Sequence, residues 1–253
     1  MMKRRLAAAL LCVPLVAPAD DARRSGFDFM SPATQAMQRD DAQNPAMLWV
    51  QDGQALWSQP PGAGAPSCAG CHGDARTAMR GVAAAYPRFD ASAGRPLVLR
   101  ERIAACRTQQ QHAAPWPAES QPLLAMEAFV ALQSRGLPLR PDADARSTPW
   151  RERGERLYRE RLGQLGIGCA QCHDEHAGQR LGGSTIPQAH PTGYPLYRLE
   201  WQGLGSLGRR LRNCMTGVRA EPFVPGAPEW VELELFLAAR AAGMAVESPA
   251  VRP

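Results

Sequence analysis

Cys68-Ala69-Gly70-Cys71-His72 and Cys169-Ala170-Gln171-Cys172-His173 decide how this chain is read. Each is a C-x-x-C-H run, the pattern through which a protein takes haem c covalently. The two thiols add across the haem vinyl groups, and the following histidine lies where its imidazole can bind iron. One copy alone would also suit a redox dithiol or half a zinc site. Two copies, each with its histidine, point to two haem groups attached at Cys68, Cys71, Cys169 and Cys172, with His72 and His173 beneath the irons.

The likeness between the halves extends well beyond these runs. Gly53-Gln54-Ala55-Leu56-Trp57 ends in an aromatic ahead of Cys68, and Gly154-Glu155-Arg156-Leu157-Tyr158 ends in one at the same distance ahead of Cys169. Tyr86-Pro87 stands as far before Cys106 as Tyr194-Pro195 does before Cys214. Arg102 and Arg210 each stand four residues ahead of these late cysteines, and Phe129 and Phe236 open matching terminal segments. The main difference is seven extra residues between His173 and Tyr194. A unit of about 100 residues has been duplicated, too long a period for a solenoid.

Composition fits this reading. The chain has 253 residues, 45% of them hydrophobic, an ordinary globular content that excludes a disordered chain. Its longest apolar run, Leu6 to Ala19, is too short to span a bilayer. Behind Lys3, Arg4 and Arg5, and ending in Ala17-Pro18-Ala19, it reads as a signal peptide, residues 1–19, cleaved on export. Cleavage removes three of the 29 basic residues and none of the 24 acidic ones, so the apparent net charge of +5 falls to +2. A nucleic-acid partner is therefore not expected. Cys12 leaves with the signal, and six cysteines stay. In an exported protein these would ordinarily be three disulfides, but their spacing overrides that default.

The secondary-structure reading is helical, with amphipathic or apolar helices over Leu123–Arg135, Glu152–Gln164 and Glu229–Ala242. The Gly- and Pro-rich segments 58–66 and 182–195 read as irregular, and no alternating strand pattern is evident. The expected fold is all-α: two tandem cytochrome c-like domains, each with one covalently bound haem c. Residues 20–140 form the first, 141–149 the linker and 150–253 the second. The covalent haem supplies the apolar centre that so small a unit lacks.

For the second axial position, Met79, Met126, Met215 and Met244 and His112, His176 and His190 do not match between the halves. Cys106 and Cys214 do. A disulfide joining these two across the domains is the alternative to their ligating iron. A thiolate ligand lowers the potential relative to methionine, which suits a site where sulfur itself reacts better than a simple relay. Arg210 and Cys214 at i, i+4 share a helix face, so the guanidinium could hold an anionic substrate beside the sulfur, or a haem propionate. Arg102 and Cys106 have the same spacing. Aligning the terminal segments sets Arg240 opposite Gln133, and with Arg209 and Arg212 this gives the second half more cations and marks it as the reacting half.

These residues resemble a known family. Gly208-Arg209-Arg210-Leu211-Arg212-Asn213-Cys214-Met215, with the following Gly226–Met244 segment, is similar to SoxA, the catalytic cytochrome subunit of the periplasmic thiosulfate-oxidising Sox system. The resemblance covers most of the mature chain. It implies two haem c groups with His72 and His173 as proximal and Cys106 and Cys214 as distal ligands. It makes Cys214 the site of a persulfide and Arg210 the substrate-binding arginine; Arg240, from the alignment of the terminal segments, is a further candidate substrate contact. It also implies a periplasmic location, a small cytochrome partner like SoxX, and a sulfur carrier like SoxYZ whose cysteine receives thiosulfate. A thiosulfate dehydrogenase forming tetrathionate and a plain dihaem electron carrier are the competing readings. A dihaem peroxidase would need an open sixth position that nothing here marks.

Overall fold

Each half is built around a glycine that lets two helices touch. The computed structural model describes residues 21–253; the expected signal segment 1–19, with Cys12, lies outside them. The first half runs through α1 (Pro32–Arg39), α2 (Ala46–Ser58), the short α3 (Cys68–His72) and α4 (Ala75–Ala78). A hairpin of β1 (Arg88–Asp90) and β2 (Arg95–Leu97) leads into α5 (Leu99–Gln109) and α6 (Gln121–Leu132). The second half begins with α7 (Thr148–Arg159), a π-turn over Gln171–Glu175 and a small hairpin of β3 (Arg180–Leu181) and β4 (Ser184–Thr185). Then come β5 (Leu196–Arg198), β6 (Gly203–Gly205), α8 (Leu207–Gly217), α9 (Pro228–Arg240) and β7 (Ala250–Arg252).

The order repeats, and so does the packing. α2 lies on α6, and α7 on α9. A Cβ at Gly53 would fall 2.2 Å from the Ala125 carbonyl oxygen; one at Gly154 would fall 1.9 Å from that of Glu232. Counted from Phe129 and Phe236, Ala125 and Glu232 are the same position of the repeat. Beside each crossing an aromatic pair closes the core, Trp57 with Phe129 at 5.8 Å between centroids and Tyr158 with Phe236 at 5.1 Å.

The all-α expectation is corrected by three small sheets. Among the described residues no strand exceeds three residues, too short for alternation to show in the sequence. In the largest sheet β5 pairs antiparallel with β6, Leu196 opposite Gly205, and parallel with β7, Leu196 opposite Ala250. Segment 182–195, read as irregular, contains β4. The three expected helices are present as α6, α7 and α9, each starting earlier than expected because a proline occupies its first turn. Thus Thr148 and Pro149, assigned to the linker, open α7. The rest of 141–149 is not free chain: the Asp142 carboxylate accepts from Phe89 N at 2.7 Å, and Arg146 lies over the Phe89 ring.

The halves interlock. Residues 137–139 run antiparallel to 244–246, with Leu139 N bonding Met244 O at 2.8 Å and Val246 N bonding Leu137 O at 2.9 Å. Tyr197, Leu204 and Val251 from the β5–β6–β7 sheet pack into the first half's core. At the other end, Arg24 N bonds the Gln188 side chain at 2.6 Å, strapping the first described residues across the second half. Among the described residues no helix is long and apolar enough to cross a membrane.

Candidate functional site

α8 begins at Ser206, whose hydroxyl accepts from Arg209 N at 3.1 Å. From this cap the helix sets Arg210 and Cys214 one turn apart. Both line a cavity of about 150 Å³ with His173, Tyr194 and Arg198, walled by the apolar Leu207, Leu211 and Leu237. Cys169 lies beside it: burial, then the nearby Cys214 and Cys172, push its thiol up to about 11. Of the expected residues of the second half, His173, Arg210 and Cys214 thus line one cavity, with Cys169 beside it.

His173 is oriented by its surroundings. Its Nδ1 lies 2.6 Å from the Pro187 carbonyl oxygen. A carbonyl can only accept, so Nδ1 carries the proton and Nε2 is left for iron. Burial holds its pKa below the usual histidine value, against that hydrogen bond and with the positive Arg210 acting in the same sense as burial. The adjoining Asp174 is fixed twice, by Tyr158 Oη at 2.9 Å and by Arg240 Nη2 at 2.6 Å.

These residues fit a haem c: two thiols for the vinyl groups, a neutral imidazole with Nε2 available, an apolar wall and a sulfur at Cys214. Arg198 Nε, buried without a partner among the described residues, can donate to a haem carboxylate or to another anion. Among the described residues no three His, Cys, Asp or Glu gather as they would around a bare metal ion, whereas porphyrin iron asks the protein for two ligands.

The first half has the same parts in a different electrostatic setting. Burial and the neighbouring Cys106 push the Cys68 thiol up, and Gln111 Nε2 reaches its sulfur at 3.7 Å. His72 stacks on Trp57 with centroids 5.8 Å apart, and the Trp57 indole donates to Gly73 O at 3.1 Å. Each late cysteine therefore stays with its own C-x-x-C run. All six described cysteines are free, so the Cys106–Cys214 disulfide is not formed.

A charge reversal separates the two sites. Arg102 is paired with Asp90 at 3.2 Å. In the register that sets Cys106 opposite Cys214, Arg102 corresponds to Arg210 and Asp90 to Arg198. Where the first half neutralises its arginine, the second sets another arginine. Of the three arginines lining the cavity, Arg198 pairs with Glu200 at 2.8 Å and Arg252 with Glu247, while Arg210 pairs with no carboxylate among the described residues. Sequence reasoning missed Arg198; the register of the repeat was the signal that would have found it.

Other expected groups sit elsewhere. Arg240 is not among the cavity residues: it bonds Asp174 and lies over the Tyr158 ring at 4.8 Å, braced behind His173. Arg209 and Arg212 lie over Trp201 and Trp230. Met126 and Met215 are buried in packing. His190 lines the cavity, its Nδ1 2.8 Å from Arg24 O.

Residues 52–139, spanning the first C-x-x-C-H run and Cys106, match the family model described as SoxA/TsdA, cytochrome c domain. Over 232 residues the chain is 37% identical to the L-cysteine S-thiosulfotransferase subunit SoxA of Rhodovulum sulfidophilum, an alignment covering 92% of this chain and 81% of that one. The chain belongs to the SoxA family. The SoxA subunit of Pseudaminobacter salicylatoxidans is 36% identical over 90% of this chain and 80% of its own. A chain of the SoxXA crystal structure from P. pantotrophus superposes with a TM-score of 0.87 at 33% identity, covering 91% of this chain and 87% of that chain. A cytochrome c domain is thereby established, and with it haem c as the cofactor class.

Proposed function

We propose that this chain is the catalytic SoxA subunit of a periplasmic L-cysteine S-thiosulfotransferase and carries two haem c groups. It joins thiosulfate through its outer sulfur to a cysteine of a carrier protein like SoxYZ, and it works with a small c-type cytochrome like SoxX. A carrier thiol and thiosulfate give the carrier S-thiosulfonate, one proton and two electrons. Cys68, Cys71, Cys169 and Cys172 would hold haem c covalently, His72, Cys106, His173 and Cys214 would be the side chains offered to its iron, and the group would supply one-electron acceptors.

The observation that carries the site is the pair of arginines, Arg198 and Arg210, facing the cavity with Cys214 where the first half has a neutralised pair. A dianion held against sulfur needs its charge compensated, and guanidinium groups bind oxyanions through paired N–H donors. Arg210 and Arg198 bind the sulfonate end, and the outer sulfur then points at Cys214. The outer sulfur bonds to the terminal sulfur of the Cys214 persulfide as two electrons leave; the carrier thiol, losing its proton, then attacks that outer sulfur and breaks the new bond, which releases the Cys214 persulfide. Arg240 acts from behind, through Asp174, to hold the turn that carries His173.

Cys214→Met should abolish carrier-dependent transfer while intact mass shows both haems still attached; a fully active variant would overturn the assignment. Because the matching family model is shared with TsdA, thiosulfate dehydrogenase is the second reading. Tetrathionate formed without a carrier protein would favour it.

A further inference from the structure

A cavity of about 80 Å³ lies where the two halves meet, its lining mostly apolar but including Arg100, Glu127, Thr192 and Glu234. Equivalent residues line it from both sides: Tyr86 and Tyr194, Pro87 and Pro195, Leu99 and Leu207, Glu127 and Glu234. The correspondence breaks at Arg100, whose counterpart on α8 is Gly208. The Arg100 guanidinium reaches across to α9 and grips Glu234, Nη2 to Oε1 at 2.5 Å and Nη1 to Oε2 at 3.3 Å. A Cβ at Gly208 would lie 3.2 Å from Arg100 Nη2, so this guanidinium occupies space that a side chain at 208 would enter. The cavity thus holds two equivalent carboxylates and one arginine.

Glu234 has the arginine, and Glu127 is left over. Glu127 is only 7% exposed and its Oε2 has no partner among the described residues. Thr192, 2% exposed, lines the same cavity with its Oγ1 also unpartnered. Buried polar atoms without partners are costly, and a cavity of this size has room for internal water that, held between Glu127, Thr192, Arg100 and Glu234, would satisfy both.

The charges facing Glu127 come from every element around it: Arg100 on α5, Glu234 on α9 and Glu119 ahead of α6, which accepts from Ser206 N at 3.3 Å. Burial raises the Glu127 carboxyl, Arg100 pulls it down, and Glu234 and Glu119 push it up again, leaving it at about 7. Pro191, Tyr194 and Leu207 line both this cavity and the one containing His173 and Cys214. A single layer of side chains separates them.

We propose that the cavity between the halves is a hydrated proton-binding site, in which Glu127 takes up one proton from solvent when the second haem site gains an electron and releases it when the electron leaves. This rests on the haem reading above. The electron comes from thiosulfate oxidation and departs to the cytochrome partner; the only bond made or broken at Glu127 is O–H. Added negative charge across the wall favours the neutral acid, and by linkage the proton in turn favours the reduced site.

The test is a spectroelectrochemical titration of the haem-loaded protein across neutral pH, with reduced-minus-oxidised infrared spectra. In the wild type the second haem's potential should fall as pH rises, and reduction should raise a carboxylic acid C=O band that shifts in D2O. Glu127→Gln should flatten the pH dependence and remove the band. Glu234→Gln, which frees Arg100 to pair with Glu127, should move the pH dependence to lower pH and gives a second reading if Glu127→Gln fails to fold. A wild-type potential independent of pH, or a band that persists in Glu127→Gln, would overturn the proposal. Absence of haem at Cys169 and Cys172 by intact mass would instead overturn the haem reading. Infrared pH titration of the same chain would then test the proton site alone, a carboxyl band lost well below pH 7 counting against it.

Discussion

At the scale of single residues, the proposed function turns on the sign of one side chain. Position 90 of the first half and position 198 of the second are equivalent, one an aspartate bonded to Arg102 and the other an arginine facing Arg210's cavity. Arg198→Asp should therefore give the second site the first site's ion pair. We expect kcat/KM for thiosulfate to drop by roughly 100-fold, as for loss of a charge-assisted contact plus a new repulsion, with haem content unchanged. Arg209→Gln, altering a guanidinium that lies over Trp201 4.3 Å away, should change it little. Steady-state kinetics with carrier protein would separate the two. The i, i+4 spacing of Arg210 and Cys214 was readable in the sequence because a helix alone sets it. Arg198 was not singled out, because it comes near Arg210 only when β5 and α8 fold together. Arg240 had the right charge in an aligned position, yet the nearby Asp174 captures it.

At the scale of elements, α2–α6 and α7–α9 hold each half together, and both crossings depend on having no side chain at Gly53 and Gly154. Alanine at either should force the helices apart against backbone and cost about 2–4 kcal/mol. Alanine at Gly217, where a Cβ would meet nothing within 4 Å, should be neutral or slightly stabilising. Thermal unfolding followed by circular dichroism checks all three, and equal melting temperatures would refute the argument. α6, α7 and α9 were legible because an apolar run or an amphipathic pattern sums over three turns, whereas α2, of 13 residues, was not read as a helix. Strands of two or three residues give periodicity nothing to sum over, and β7 pairs with β5 across the whole of α8 and α9. The π-turn at Gln171–Glu175 left no sequence signal either.

At the scale of the whole molecule, the duplication was visible in the sequence but the join was not. Arg100 with Glu234, the paired segments 137–139 and 244–246, and the strap at residues 21–30 all depend on contacts distant in sequence. The join also makes stability depend on pH. Glu127 has its folded pKa raised to about 7 from 4.5, so the folded protein holds that proton more tightly than the unfolded chain. Its contribution is complete below the unfolded value and is lost as pH rises through about 7. Glu127→Gln should accordingly gain melting temperature relative to the wild type between pH 5 and 8, whereas a constant difference would show that Glu127 does not titrate there. The central claim, that a cysteine faces each iron and that the one at Cys214 is the reacting sulfur, is tested most directly by low-temperature EPR of the oxidised, haem-loaded protein. The account predicts low-spin signals of histidine–thiolate ligation from both haems, with Cys214→Met converting one to a histidine–methionine type and leaving the other intact. A wild-type spectrum made up only of histidine–methionine or bis-histidine signals would contradict it.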